Sequence, residues 1–316
     1  MLGVGQGGAG VLAGLLGPHG RVLFDAFIHP LKEREFLLDV DARQVDGVAA
    51  HLRKYALRAK VRIADATPAY AVQQAWGPAA AALWRPFVDA RDQARLPPGA
   101  ALPRLRRLAV GCSDPRHPAL GVRFVEPKDQ PTALPPSFSQ VSDLEFKILR
   151  ILNGIPEGMD DFFPNASLPL ESNLDLMSGI DFRKGCYLGQ ELTIRTYHTG
   201  VTRKRIVPVQ IYRDEDSVPT ELTLDTAFNE TLPPSTTEIR VLNESDGSLS
   251  RREVGKFCSG VNNIGLALMR LDHVSSPEKP ESSSNLVFSP KDGPRTNGLK
   301  IRAFLPSWFP SALTEE

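Results

Sequence analysis

The chain has 316 residues, of which 41% are hydrophobic and 23% charged, a globular balance that excludes wholesale disorder. Its 37 Lys+Arg are cancelled by 37 Asp+Glu, which excludes a chain-wide basic surface for nucleic acid, and no apolar run approaches the ~18 residues of a membrane span. Three cysteines (Cys112, Cys186, Cys258), with no CxxC spacing, are too few for a disulfide framework and point to a reducing compartment.

The first twenty residues hold eight of the 25 glycines. Gly3 to Gly8 matches G-x-G-x-x-G, but only two residues precede it, so the strand that a dinucleotide site needs is missing. The better reading is a Gly-rich start running into a strand near Val11–Leu16. After the turn Gly17-Pro18-His19-Gly20, strands are predicted at Arg21–His29 and Glu35–Val40. Asp41 reads as the cap of a helix over Ala42–Lys60, with Val45, Val48, Leu52, Tyr55 and Ala56 at helical spacing. Val61–Ala64 and Tyr70–Trp76 read as strands, 79–90 as a helix after Pro78, and Leu105–Val110 and Val122–Val125 as two more strands. This succession predicts an α+β unit in which antiparallel strands carry helices on one face.

A Pro-rich linker, Glu126–Pro136, leads to an amphipathic helix over Ser142–Asn153, with Leu144, Ile148, Leu149 and Leu152 on one stripe and Gly154 just past its end. From Arg213 to Glu253 ten acids face four bases, and short strands are predicted at Glu238–Leu242, Val254–Ser259, Gly265–Leu271 and Leu299–Phe304. Their spacing suggests a small β-barrel, with mobile, Ser- and Pro-rich chain over Ser275–Gly298.

The densest chemistry lies at Asp181–Arg205. If the residues after Gly185 form a helix, Cys186 sits on its first turn, facing unpaired N–H groups and flanked by Arg183 and Lys184, which would favour the thiolate. Cys112 and Cys258, in strand-like contexts, read as buried structural residues. Gly189 inside a helix costs ~1 kcal/mol against Ala, which makes sense where something approaches the backbone closely. Between Phe182 and Arg205 six bases face one acid, Glu191, so this segment is locally basic.

Leu168-Pro169-Leu170-Glu171-Ser172-Asn173-Leu174-Asp175, followed by Gly179-Ile180-Asp181-Phe182-Arg183-Lys184-Gly185-Cys186-Tyr187-Leu188-Gly189-Gln190-Glu191, resembles one family. These are the folate-binding, aminomethyltransferase-like proteins of iron–sulfur cluster assembly, and Leu192–Val209 and Gly260–Leu271 resemble the mitochondrial branch most. The likeness covers most of residues 17–212 and then thins to islands. It implies an α+β, three-part fold: a folate-binding region over 1–212, with its core from about 1–30 and 137–212 and a ferredoxin-like unit over about 31–126, and a C-terminal barrel over 213–316.

The resemblance implies a function in [4Fe–4S] cluster assembly in the mitochondrial matrix, alongside A-type cluster carriers and with tetrahydrofolate as a ligand. By the same resemblance Asp25, Glu171, Asn173, Tyr187, Gln190 and Glu191 contact the cofactor, and Lys184, Gly185 and Gly189 shape the motif. Cys186 supplies a functional thiol that touches a cluster transiently beside a partner. A lone thiolate cannot hold a cluster that usually takes four. The alternative is tetrahydrofolate-dependent aminomethyl transfer, but the Asp-Asp pair of the glycine-cleavage enzymes reads Phe24-Asp25 here. A third, tRNA-linked reading rests on the basic segment and is weakened by its few aromatics. The family's usual N-terminal Gly-Pro-Asp and Phe-Leu-Gln-Gly segment is not found, so the chain is expected to be truncated by several tens of residues, any transit peptide included.

Overall fold

The computed structural model describes residues 10–80, 110–132, 134, 136–243, 245–275, 285–289 and 298–310. The Gly3–Gly8 motif, most of the helix expected over 79–90, residues 105–109 and most of 276–297 lie outside the described residues. A hairpin-rich start gives β1 (Val11–Leu16), β2 (Val22–Lys32) and β3 (Glu35–Asp39), paired antiparallel in the order β1-β2-β3. Asp41 caps a short 3₁₀ turn by accepting the Arg43 N–H at 2.9 Å, and α1 (Val45–Ala56) follows. The helix stops four residues before the expected end, where Leu57 takes φ +49°. Val61–Ala64 is not a strand: no strand among the described residues pairs with it, and the Ile63 carbonyl instead accepts from the Arg53 guanidinium at 3.1 Å.

A second three-stranded antiparallel sheet is formed by β4 (Tyr70–Ala75), β5 (Val110–Ser113) and β6 (Val122–Pro127), with β6 in the middle. Next come α2 (Asp143–Leu152), a single turn α3 (Gly158–Asp161) and α4 (Gln190–Thr199). Gly154 closes α2 at φ +69°, as its position predicts. The buried side of α2 is centred on Ile151, while Leu144 in the first turn is exposed.

The last six strands, β7 (Lys204–Arg213), β8 (Glu238–Val241), β9 (Gly255–Val261), β10 (Ile264–Arg270), β11 (Leu286–Ser289) and β12 (Leu299–Ala303), close a barrel in the order β10-β7-β12-β11-β8-β9. Its first strand starts at Lys204, ahead of the boundary expected at 213. The apolar triplet Leu286-Val287-Phe288 forms β11 inside the stretch expected to be loop. Period-2 alternation explains why β7 is buried almost throughout. Val207, Val209 and Ile211 point into the barrel core with Phe257, Ala267 and Met269. Ile206, Cys258, Ile264 and Leu266 point outward and join a second core with Leu12, Leu16, Val22, Phe27, Ile151 and Ile155. The barrel is thereby welded to the β1-β2-β3 sheet.

The junction also carries charge. Glu157 faces three guanidinium groups, with an ion pair to Arg116 and longer ones to Arg123 (3.4 Å) and Arg150 (3.7 Å). Arg116 pairs with Asp114 at 2.7 Å, Arg123 with Asp39, and Arg150 with Asp161 at 3.2 Å. Asp161 in turn accepts from the Ser259 hydroxyl of β9 at 2.7 Å. Arg116 and Arg123 both lie over the Phe27 ring, 4.9 and 4.7 Å from its centroid. Although burial alone would raise it, these three cations hold the Glu157 carboxyl well below the usual carboxylate range.

Removing one member of such a network leaves the others buried and uncompensated, at about 3–5 kcal/mol. Glu157→Ala is therefore expected to lower the unfolding free energy from urea titration by that much, whereas Glu33→Ala, on the exposed β2–β3 turn, changes it by under ~0.5 kcal/mol. Equal, small effects of the two would remove the network from the account.

Candidate functional site: an exposed thiol beside a cation-rimmed cavity

The Cys186 loop is fixed by two glycines. Gly189 has φ +77° and sits against the β1–β2 turn, where a Cβ would overlap the Gly17 carbonyl oxygen and lie 2.9 Å from the Gly20 Cα. Gly20, at φ +73°, has the reciprocal restriction: a Cβ there would lie 2.8 Å from the Gly189 carbonyl oxygen. The close approach expected at Gly189 is thus made by the protein's own turn.

Gly189 is also the residue at which helix geometry begins. α4 starts at Gln190, so Cys186 lies four residues ahead of it and not on its first turn, as expected from the sequence. The left-handed backbone at Gly189 is the physical reason: it breaks the helix that the YLGQEL string would otherwise extend. The helix-dipole argument for an activated thiolate therefore falls. Lys184 is engaged elsewhere, its ammonium 4.4 Å from the centroid of the Tyr187 ring. Gly185 is exposed with open space around its Cα. Cys186 itself is exposed, while Cys112 and Cys258 are buried. Burial pushes the Cys112 thiol up to about 12 and holds the Cys258 thiol well above its ordinary range.

Glu171 lines a cavity of about 280 Å³ between the 168–171 turn, the inner face of α4 and the start of β7. Leu168, Leu170 and Leu192 form its apolar wall, Arg203, Lys204 and Arg270 its basic side. Burial raises the Glu171 carboxyl above its ordinary range, against the pull of Lys204, Arg21 and Arg205. Thr193, also on the wall, is 1% exposed, and its hydroxyl faces that of Tyr187. A carboxylate and three cations suit a ligand with an N–H edge and a negative tail.

The other expected ligand residues are placed differently. The Gln190 side chain accepts from the Tyr187 N–H at 3.1 Å and does not line the cavity. Asn173, fully buried at φ +61°, donates to the Ile206 carbonyl at 2.7 Å and ties the 168–175 turn to β7. Glu191 is exposed on α4. Tyr187 stays beside the cavity, its hydroxyl buried near that of Thr193. Asp25 lies on β2 and accepts the Gly158 N–H at 3.2 Å. Its neighbour Phe24 points to the other face of the sheet and packs edge-on against His51 of α1, 6.1 Å between centroids. Thr193, Arg270 and the Glu157 network were not singled out in the sequence, because a Thr inside a helix and charges on strands read as surface.

Residues 203–311 match the model of the CAF17 C-terminal β-barrel domain. A protein of Mycosarcoma maydis named iron-sulfur cluster assembly factor IBA57 homolog, mitochondrial, is 40% identical, over 95% of this chain and 74% of the relative. The chain belongs to the IBA57 family. An Aspergillus clavatus protein of the same name is 35% identical, over 95% of the chain and 72% of its own length. The aminomethyltransferase T of the Bartonella henselae glycine cleavage system superposes with a TM-score of 0.53 at 15% identity, over 96% of this chain and 76% of that one. This IBA57-family chain therefore has the aminomethyltransferase-like fold, and its motif segment and closed barrel are those of a cluster assembly factor family.

In the folded chain a maleimide should label Cys186 promptly and the other two thiols only after unfolding. In Gly189→Ala, strained by about 1–2 kcal/mol at positive φ, the loop must move, and tryptic cleavage at Arg183 or Lys184 should accelerate. Unchanged cleavage would show that the glycine contact does not hold the loop.

Two buried groups give opposite pH signatures. Burial and the Glu157 charge push Asp25 up to about 6, so the folded state binds its proton more tightly and stability falls as pH rises from about 4 to 6. Burial pushes His29, whose ring nitrogens have no partner among the described residues and which faces Asp39 and Arg123, down to about 4. Its contribution rises between about 4 and 6.5, so the two largely cancel. In His29→Phe the contribution of this ring is lost, so between pH ~4 and ~6.5 the denaturant midpoint should rise less, or fall more, than in wild type; a profile parallel to wild type would contradict the assignment.

Proposed function

We propose that this chain assists [4Fe–4S] cluster assembly in the mitochondrial matrix by offering Cys186 to a cluster held by an A-type carrier, while tetrahydrofolate occupies the Glu171 cavity of the 1–212 region. The observation that carries the reading is that one thiol of three is exposed, on a loop pinned by the Gly20–Gly189 contact. Among the described residues no group of three His, Cys, Asp or Glu could hold a metal ion. One thiolate supplies one ligand of about four, so the partner's thiolates complete the set. The cluster is cargo in this account.

Glu171 is the residue that would hold the N–H edge of a pterin, and Arg203, Lys204 and Arg270 its glutamate tail. When bound, tetrahydrofolate supplies a carrier for one-carbon units. Against transferase activity by this chain, Phe24 is committed to α1 and Asp25 to the Gly158 backbone.

Anaerobic reconstitution tests the first half. Mixed with an A-type carrier, iron and sulfide, the wild-type chain should give a coloured mixed complex, and Cys186→Ala should leave the cluster on the carrier alone. Identical spectra and complex yields for the two chains would refute the reading. For the second half, Glu171→Gln should weaken 5-formyltetrahydrofolate binding by about tenfold, the worth of a charge-assisted hydrogen bond; calorimetry that finds equal affinities would remove folate from this cavity.

A further inference from the structure

α4 turns large apolar side chains to solvent among its exposed polar ones, Glu191, Arg195 and His198. Ile194 and Tyr197 are 37% and 50% exposed at helical spacing, and Val201, just past the helix end, is 56% exposed where the ridge meets the Glu171 cavity that it also lines. Phe182, four residues before Cys186, folds back and stacks on Tyr197, with ring centroids 3.9 Å apart and planes inclined by 20°. This stack draws the segment before Cys186 over the helix, so ridge and thiol belong to one surface. Arg183 and Arg203 are exposed on either side. Arg205, the sixth base of the segment, is buried against Asp175 and contributes nothing to the surface.

We propose that this ridge docks a protein whose contact surface is acidic around an apolar centre, and that it does so before any cluster is shared. The proposal rests on the carrier reading above for the identity of that protein. An apolar centre with a charged rim is the anatomy of a specific protein contact: the centre supplies affinity, the rim orientation and encounter rate. The basic rim selects an acidic surface. RNA is the lesser fit. Phe182 and Tyr197 cover one face of each other, and the His198 ring meets Tyr197 at 5.2 Å and 79°, which leaves little ring face for bases. Ile194 and Val201 offer bases nothing to stack on.

The test is calorimetric titration of the full chain with an A-type carrier stripped of iron and sulfide. Wild type should bind it, more weakly as salt rises, and Ile194→Glu and Tyr197→Glu should each lose about tenfold or more. Both substituted side chains are exposed, and far-UV circular dichroism confirms the fold before titration. Equal affinity of wild type and folded variants overturns the ridge and leaves the Cys186 reading standing. Binding that appears only with cluster-loaded carrier, and is lost in Cys186→Ala, also overturns the ridge and supports the thiol. Tight, ridge-dependent binding of transfer RNA without carrier binding overturns the choice of a protein partner.

Discussion

Glu157 holds this molecule together at the point where its parts meet. Its carboxylate faces Arg116, Arg123 and Arg150, which reach it from the β5–β6 connection, from β6 and from α2. Each arginine carries a second acid: Asp114 in the same connection for Arg116, Asp39 on β3 for Arg123, Asp161 on α3 for Arg150. Through Ser259 the chain of contacts reaches the barrel. Desolvation offsets most of the Coulomb gain in such a network, so its net contribution to stability is modest. Its consequence is geometric: both three-stranded sheets, α2 and the barrel are tied to one carboxylate, and no unit can shift without stranding a buried charge.

That fixed arrangement sets the site. Because the outward residues of β7, β9 and β10 share a core with β1 and β2, the β1–β2 turn is held close to the chain that precedes α4. The Gly20–Gly189 contact is possible only at that spacing, and it places Cys186 on a short loop between two anchored ends. The same contact starts α4 at Gln190, which directs Leu192 and Thr193 into the Glu171 cavity and Ile194 and Tyr197 to solvent. Cavity, thiol and ridge are thus three faces of one helix and its leader.

Much of this was legible in the sequence. Most strands lie within a few residues of where β-branched and aromatic runs place them, the Asp41 cap and Gly154 stop act as their chemistry dictates, and the motif around Cys186 carries the family. What was not legible has physical causes. Val61–Ala64 has strand composition but no pairing strand among the described residues, and pairing is a tertiary property. Leu286–Phe288 is a short apolar run hidden in polar chain, a strand only because β8 and β12 flank it. The helix start was misplaced by four residues because a glycine's φ is set by what touches it, here Gly17 and Gly20. Charges on strands read as surface, so the network around Glu157 stayed invisible until the sheets were assembled.

The central claim is that Cys186 meets the partner's cluster and does not merely lie near the partner. Its most direct measurement is mass-spectrometric footprinting of Cys186 by a maleimide, compared in the complex with carrier before and after anaerobic addition of iron and sulfide. As a cluster ligand Cys186 stays reactive in the iron-free complex and becomes protected when the cluster forms, with Cys112 and Cys258 unlabelled throughout. Equal labelling of Cys186 before and after cluster formation would contradict it.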